Sequence, residues 1–288
     1  MSALTSKDGI ALYEKVWPSP EAPKGTVLIV HGYGEHITRY DHVAVALGAA
    51  GWAVRGYDQR GHGQSGGLRG HCTRFSDYLD DLSLVLARAR QSLPDKPLFI
   101  LGHSFGALVS TRYAFDKGAE LDGLVVTSPY WKLKLDVPKI KIVAGKLMSA
   151  IYPTLGLPSG LKGADVSHDP EMIALYDRDP LNNKNATARW FTESTAAQEE
   201  VAARAGDLKI PCLVMHGGGD KIADPAQTEL VFARIGSADK QLKIYPGQYH
   251  EILNEVAADR AKTIADVVAW LTSHAAAAAT GKLRAGGT

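Results

Sequence analysis

Gly102-His103-Ser104-Phe105-Gly106 sets a serine between glycines, straight after an apolar run over 98–102 and before a helical pattern over 105–115. The two small residues allow a sharp turn that holds Ser104 in strained geometry at a strand end. The helix behind it aims backbone N–H groups, and the positive end of its dipole, at charge developing on an attacked carbonyl. A serine hydroxyl attacks only when a histidine takes its proton, and that histidine needs a carboxylate to fix its tautomer. Among ten histidines, His250 has the best position, in Pro246-Gly247-Gln248-Tyr249-His250-Glu251 between the last strand pattern and the last helical one. His103 adjoins the serine in sequence and would point elsewhere. His216 ends the strand that leads to the acid, and His31 reads as support for its own glycine turn. Asp220 closes the glycine turn after Cys212-Leu213-Val214-Met215-His216. Asp224 is the alternative acid, although Asp224-Pro225 reads as a helix start, with Asp capping and Pro in the first turn. The expected catalytic residues are therefore Ser104, Asp220 and His250.

Two further motifs compete. Gly63-Gln64-Ser65-Gly66-Gly67 repeats the pattern around a serine, and Gly61 to Gly66 spells G-x-G-x-x-G. Both sit in a glycine-rich loop with no helix start behind them, so neither a nucleophile nor a pyrophosphate site is expected there. His31-Gly32-Tyr33-Gly34 follows another strand pattern. The backbone N–H groups of Tyr33 and Phe105 are the expected oxyanion donors.

These residues need rigid elements beneath them. Apolar runs at 26–31, 52–58, 98–102, 124–128, 212–216 and 242–245 read as strands, after a hairpin-like stretch over 9–17. Helical patterns lie at 39–50, 75–93, 105–115, 225–235 and 255–271. Continuous apolar strands alternating with helices predict a mostly parallel α/β sheet covered on both faces. No strand is expected between 129 and 207, where helical fragments separated by Pro and Gly are too long for an ordinary connection and imply a helical lid or cap insertion. The core then comprises 1–128 and 208–273. Residues 274–288 are left outside the fold as a frayed or appended tail.

Composition excludes several classes. Hydrophobic residues make 45% and charged residues 22% of the 288 residues, with a formal net charge of +1, so nucleic acid is not an expected partner. The two cysteines, Cys72 and Cys212, suggest neither a disulfide framework nor a zinc site. No signal peptide and no membrane span is read, which makes a cytoplasmic protein the expectation. The chemistry calls for no metal or organic cofactor.

With these pieces assembled, the chain resembles the monoacylglycerol lipase and lysophospholipase branch of the α/β-hydrolases. The resemblance rests on His31 to His36 with Arg39-Tyr40, Asp58 to Ser65, the Gly-His-Ser-Phe-Gly turn, Tyr176 to Leu181, Gly219-Asp220 and Tyr245 to Glu251. It implies an α/β-hydrolase fold and hydrolysis of a glycerol monoester of a fatty acid under a lid, with Glu35, Arg39 and Tyr176 around the polar head. A local ion pair holding the oxyanion loop is the other reading of Glu35 and Arg39, and lid packing that of Tyr176. Mammalian members carry a cysteine soon after the acid, where Ala223 stands here. A carboxylesterase or lysophospholipase would use the same three residues. A ligand-binding protein on a hydrolase scaffold would not need them.

The expected lid has its own charge pattern. Lys132, Lys134, Lys139, Lys141 and Lys146 face the single Asp136, and Ile140, Val143, Leu147, Met148 and Ile151 recur at helical spacing. Such a segment suits transient, peripheral contact with an anionic membrane surface, or else burial of its apolar stripe on its own core.

Overall fold

The computed structural model describes residues 4–134 and 139–279. Strands β1 (Glu14–Val16), β2 (Thr26–Val30), β3 (Ala53–Tyr57), β4 (Leu98–His103), β5 (Gly123–Thr127), β6 (Cys212–Gly217) and β7 (Lys240–Tyr245) form one sheet, in the order β1-β3-β2-β4-β5-β6-β7. All neighbours are parallel except β1, which runs antiparallel to β3. The strands match the apolar runs to within about two residues. β7 begins earlier than its apolar run, at Lys240. As an edge strand it accommodates Lys240, Gln241 and Lys243, which also blunt that edge against pairing with another chain.

Every residue of β2, β4, β5 and β6 is buried, because both faces of the sheet are covered. Leu28, Val30 and Ile100 enter one core with α2 (Ser76–Ser92), α3 (Phe105–Lys117) and α8 (Pro225–Arg234). Val27, Ile29, Phe99 and Leu101, the alternate residues of the same strands, enter a second core with α1 (Asp41–Ala49) and α9 (Ala257–Ala279). Each such side chain, fully withdrawn from water, contributes roughly 1.5–3 kcal/mol.

Between β5 and β6 lie α4 (Lys139–Ile151), α5 (Gly163–Val166), α6 (Pro170–Arg178) and α7 (Ala188–Arg204). The expectation that this section holds no strand is corrected: Gly156–Pro158 and Asn185–Thr187 pair antiparallel. Three-residue strands built from Gly, Pro and Asn have no apolar alternation to announce them, and their pairing spans a long stretch of chain. A second difference lies at the end. α9 continues through His274 to Ala279, past the point where the apolar pattern stops. Alanine is the strongest helix former, and the His274 ring stacks on Trp270 at 3.9 Å. Residues 280–288 of the expected tail, and Asp136, lie outside the described residues, as do the side chains of Lys139, Ile140 and Lys141.

The sheet register brings the loops that carry the candidate residues to one end of the sheet. Val30 pairs with Gly102, His103 with Thr127, and Gly217 with Tyr245, so the loops after β2, β4, β6 and β7 all emerge at the carboxyl ends of the strands. No helix of the described residues is long and apolar enough to cross a membrane.

Candidate active site

Ser104 stands between β4 and the first turn of α3 with φ 52° and ψ −114°. Holding a non-glycine residue there costs of order 1–3 kcal/mol, and close packing enforces it. A Cβ on Gly106 would lie 2.1 Å from the Val30 carbonyl oxygen, and one on Gly102 would lie 2.9 Å from Ala107 Cα. The flanking glycines thus let α3 press against the sheet while the chain reverses. Ser104 N–H donates to the Thr127 carbonyl at 2.9 Å.

His250 Nε2 lies 2.8 Å from Ser104 Oγ, and His250 Nδ1 lies 2.7 Å from Asp220 Oδ2. The three groups come from loops after β4, β6 and β7, and each is at least nine-tenths buried. Asp220 Oδ1 accepts the Ile222 and Ala223 N–H groups at 2.7 and 3.0 Å, and Oδ2 also meets His216 Nε2 at 2.9 Å. Burial alone would raise the Asp220 pKa. The charge of His250 and the bonds to both histidines outweigh it and hold the carboxyl well below its usual range. Burial would likewise lower His250, but Asp220 outweighs it and raises that imidazole above its ordinary value.

The other histidines and the alternative residues are engaged elsewhere. His103 Nδ1 meets Thr127 Oγ1 at 3.0 Å, and burial drops its pKa to about 3. His31 accepts the Gln59 N–H at 2.9 Å and is also held near 3 by burial. Asp224 caps α8, accepting the Ala226 N–H at 3.1 Å. Ser65 Oγ donates to the Asp58 carbonyl and accepts the Tyr13 N–H at 2.9 Å, so it ties its own loop together.

Phe105 is the first residue of α3, where a backbone N–H has no partner within the helix. Tyr33 shares a cavity with Ser104 and His250. Its neighbour Gly32 passes so close that an added Cβ would stand 3.2 Å from Ser104 Cβ. The Tyr33 ring packs on Trp190 of α7 with centroids 3.8 Å apart, and its hydroxyl donates to the Asn185 carbonyl.

That cavity measures about 430 Å³. Leu133, Met148, Leu157, Leu161 and Trp190, all from the section between β5 and β6, supply apolar wall. Glu35, Tyr176 and Glu251 make a polar end. Glu35 Oε1 accepts the Gly32 N–H at 2.6 Å and the Tyr40 hydroxyl at 2.7 Å, while Arg39 donates to Glu35 Oε2 at 2.8 Å. Arg39 is not among the described residues lining the cavity. It stands behind, with its guanidinium 4.9 Å from the Tyr176 ring centre. Of the three residues expected near a polar head, Glu35 and Tyr176 thus reach the cavity and Arg39 braces them.

Three contacts were not legible in the sequence: His216 is a second partner of Asp220 Oδ2, Glu251 grips Arg39, and Trp190 backs Tyr33. Arg39 is 212 positions from Glu251, and Tyr33 and Trp190 stand on far separated elements, so no local spacing reveals either pair.

The chain matches the model of the family described as serine aminopeptidase, S33, over residues 21–257. It is 34% identical to a monoacylglycerol lipase of Mycolicibacterium smegmatis, over 92% of this chain and 94% of that one. It is 30% identical to the monoglyceride lipase of Mus musculus, over 96% and 92% respectively. Among solved structures, the Paleococcus ferrophilus monoacylglycerol lipase superposes with a TM-score of 0.84 at 29% identity, covering 91% of this chain and 99% of that one.

Proposed function

Because the chain belongs to the serine aminopeptidase S33 family of α/β-hydrolases, in its monoacylglycerol lipase branch, we propose that it cleaves monoacylglycerols to fatty acid and glycerol. Ser104 is the nucleophile, His250 the general base, Asp220 its orienting acid, and the section between β5 and β6 a lid. The observation that carries this reading is the unbroken line from Ser104 Oγ to His250 Nε2 at 2.8 Å and from His250 Nδ1 to Asp220 Oδ2 at 2.7 Å.

His250 removes the Ser104 proton as Oγ attacks the ester carbonyl. Asp220 holds the imidazole with its Nδ1–H inward and stabilises the imidazolium that forms. The Tyr33 and Phe105 amides receive the oxyanion. His250 then returns the proton to the departing glycerol oxygen, and a water activated by the same imidazole releases the acid from Ser104. The apolar wall takes the acyl chain. The glycerol hydroxyls meet Glu35 and Tyr176 at the polar end.

The lid also meets a membrane surface in this reading. Val143, Leu147 and Ile151, spaced for one face of α4, are 62%, 58% and 71% exposed, and Lys146 is exposed beside them. An outward apolar stripe with a basic neighbour is the pattern of a helix lying in a lipid interface. Met148, from the same expected stripe, turns instead to the cavity.

Fatty-acid release from monoacylglycerols, lysophospholipids and short esters tests the proposal. Turnover greatest on monoacylglycerols supports it, and turnover confined to the other two classes overturns the substrate while keeping the chemistry.

A further inference from the structure

Glu251 follows the proposed base directly in sequence, yet its side chain turns toward the opposite loop. Its two oxygens take Arg39 as a fork, Oε1 with Nη1 at 2.6 Å and Oε2 with Nη2 at 2.7 Å. The same Nη1 reaches Glu35 Oε2 at 2.8 Å. Glu35 then accepts the Gly32 N–H at 2.6 Å, next to Tyr33. A continuous chain of charge-assisted bonds therefore runs from the residue after His250 to the residue before Tyr33, and all three charged side chains are buried. Asn254 completes the brace, donating to Glu251 Oε2 at 2.8 Å from the next turn of the same loop.

Two carboxylates share one guanidinium here, a costly arrangement when withdrawn from water. Bidentate Arg–carboxylate pairing is geometrically specific. Its rigidity fits a place where two catalytic loops from opposite ends of the chain must keep a fixed distance. We infer that Glu251 is a positioning residue: through Arg39 and Glu35 it locks the loop carrying the base to the loop offering an oxyanion donor. This rests on the hydrolase reading above. It also separates two roles that cavity lining alone leaves mixed, since Glu251 and Glu35 both border the polar end.

The test compares Glu251→Gln with wild type on a monoacylglycerol and on 4-nitrophenyl butyrate, whose leaving group carries no further hydroxyl to meet the polar end. A lock predicts that kcat falls on both substrates by a similar factor, about a hundredfold for a displacement near 1 Å, with KM changed less than about threefold. Asn254→Ala, which loosens the brace without touching the buried ion pair, should give a smaller fall of the same kind and carries the test if Glu251→Gln does not fold. A loss confined to the monoacylglycerol, a change in KM alone, or wild-type rates overturns the inference and leaves the hydrolase intact. A wild type inert toward both esters overturns the hydrolase reading, and this inference with it.

Discussion

His216 and His250 meet on a single oxygen: Asp220 Oδ2 lies 2.9 Å from Nε2 of the first and 2.7 Å from Nδ1 of the second. An ionised carboxylate only accepts, so both rings must donate, which fixes His250 with its bare Nε2 toward Ser104. His216 is itself set by Thr228 Oγ1, 2.9 Å from its Nδ1. Asp220, the proposed orienting acid, is thus aimed by a second histidine as well as by the two backbone amides on Oδ1.

Asp220→Asn keeps the shape but presents an amide that reverses the tautomer preference. Steady-state kinetics should show kcat down by roughly 10³–10⁴. His216→Ala, which leaves Asp220 its other three donors, should cost about 10–100-fold, the scale seen where an orienting partner is lost. Equal losses for the two variants would contradict this ordering.

Activity should disappear on the acid side through protonation of His250. As the proposed base, His250 works only when neutral. Its pKa is raised above the ordinary imidazole value, with Asp220 the leading cause against burial and Glu251 and Glu35 adding to it. The acid limb of kcat/KM should therefore have its midpoint above about 6.5. Glu251→Gln removes one of those charges and should move the midpoint downward. A wild-type midpoint below the ordinary value would count against the assignment.

Backbone strain at Ser104 separates two inactive variants. Both Ser104→Ala and Ser104→Gly lose the hydroxyl, but only glycine relaxes at φ 52°. The glycine variant should be the more stable by about 1 kcal/mol, the 1–3 kcal/mol of strain relieved exceeding the entropy of an added glycine. Urea unfolding of the pair reads this directly, and the reverse order would mean that Ser104 is unstrained.

Replacing Val143, Leu147 and Ile151 together by serine should weaken sedimentation with anionic vesicles by more than about tenfold, since each apolar side chain entering lipid is worth up to roughly 1.5–3 kcal/mol. Rates on soluble 4-nitrophenyl butyrate should stay unchanged. Vesicle binding equal to wild type would remove the membrane role of α4.

The doubly covered sheet was readable from runs such as 27–30 and 98–101, because the middle of a strand buried on both faces is filled mostly by apolar residues. Ser104, Asp220 and His250 were chosen from chain order and from what precedes and follows each one, without their distances. The Glu251–Arg39 fork was not readable, since it joins residues 212 positions apart and charged side chains leave no periodic trace. The direction of the α4 stripe was undecided for a related reason. Helical spacing says that Val143, Leu147 and Ile151 share a face, but not which way the face looks.

Labelling with a fluorophosphonate probe, located by peptide mass spectrometry, tests the central claim most directly. The probe should modify wild type at Ser104 alone, with labelling abolished in Ser104→Ala and greatly slowed in a His250→Ala variant that remains folded. An unlabelled wild type, or equal labelling of Ser104→Ala, would contradict a nucleophilic role for Ser104.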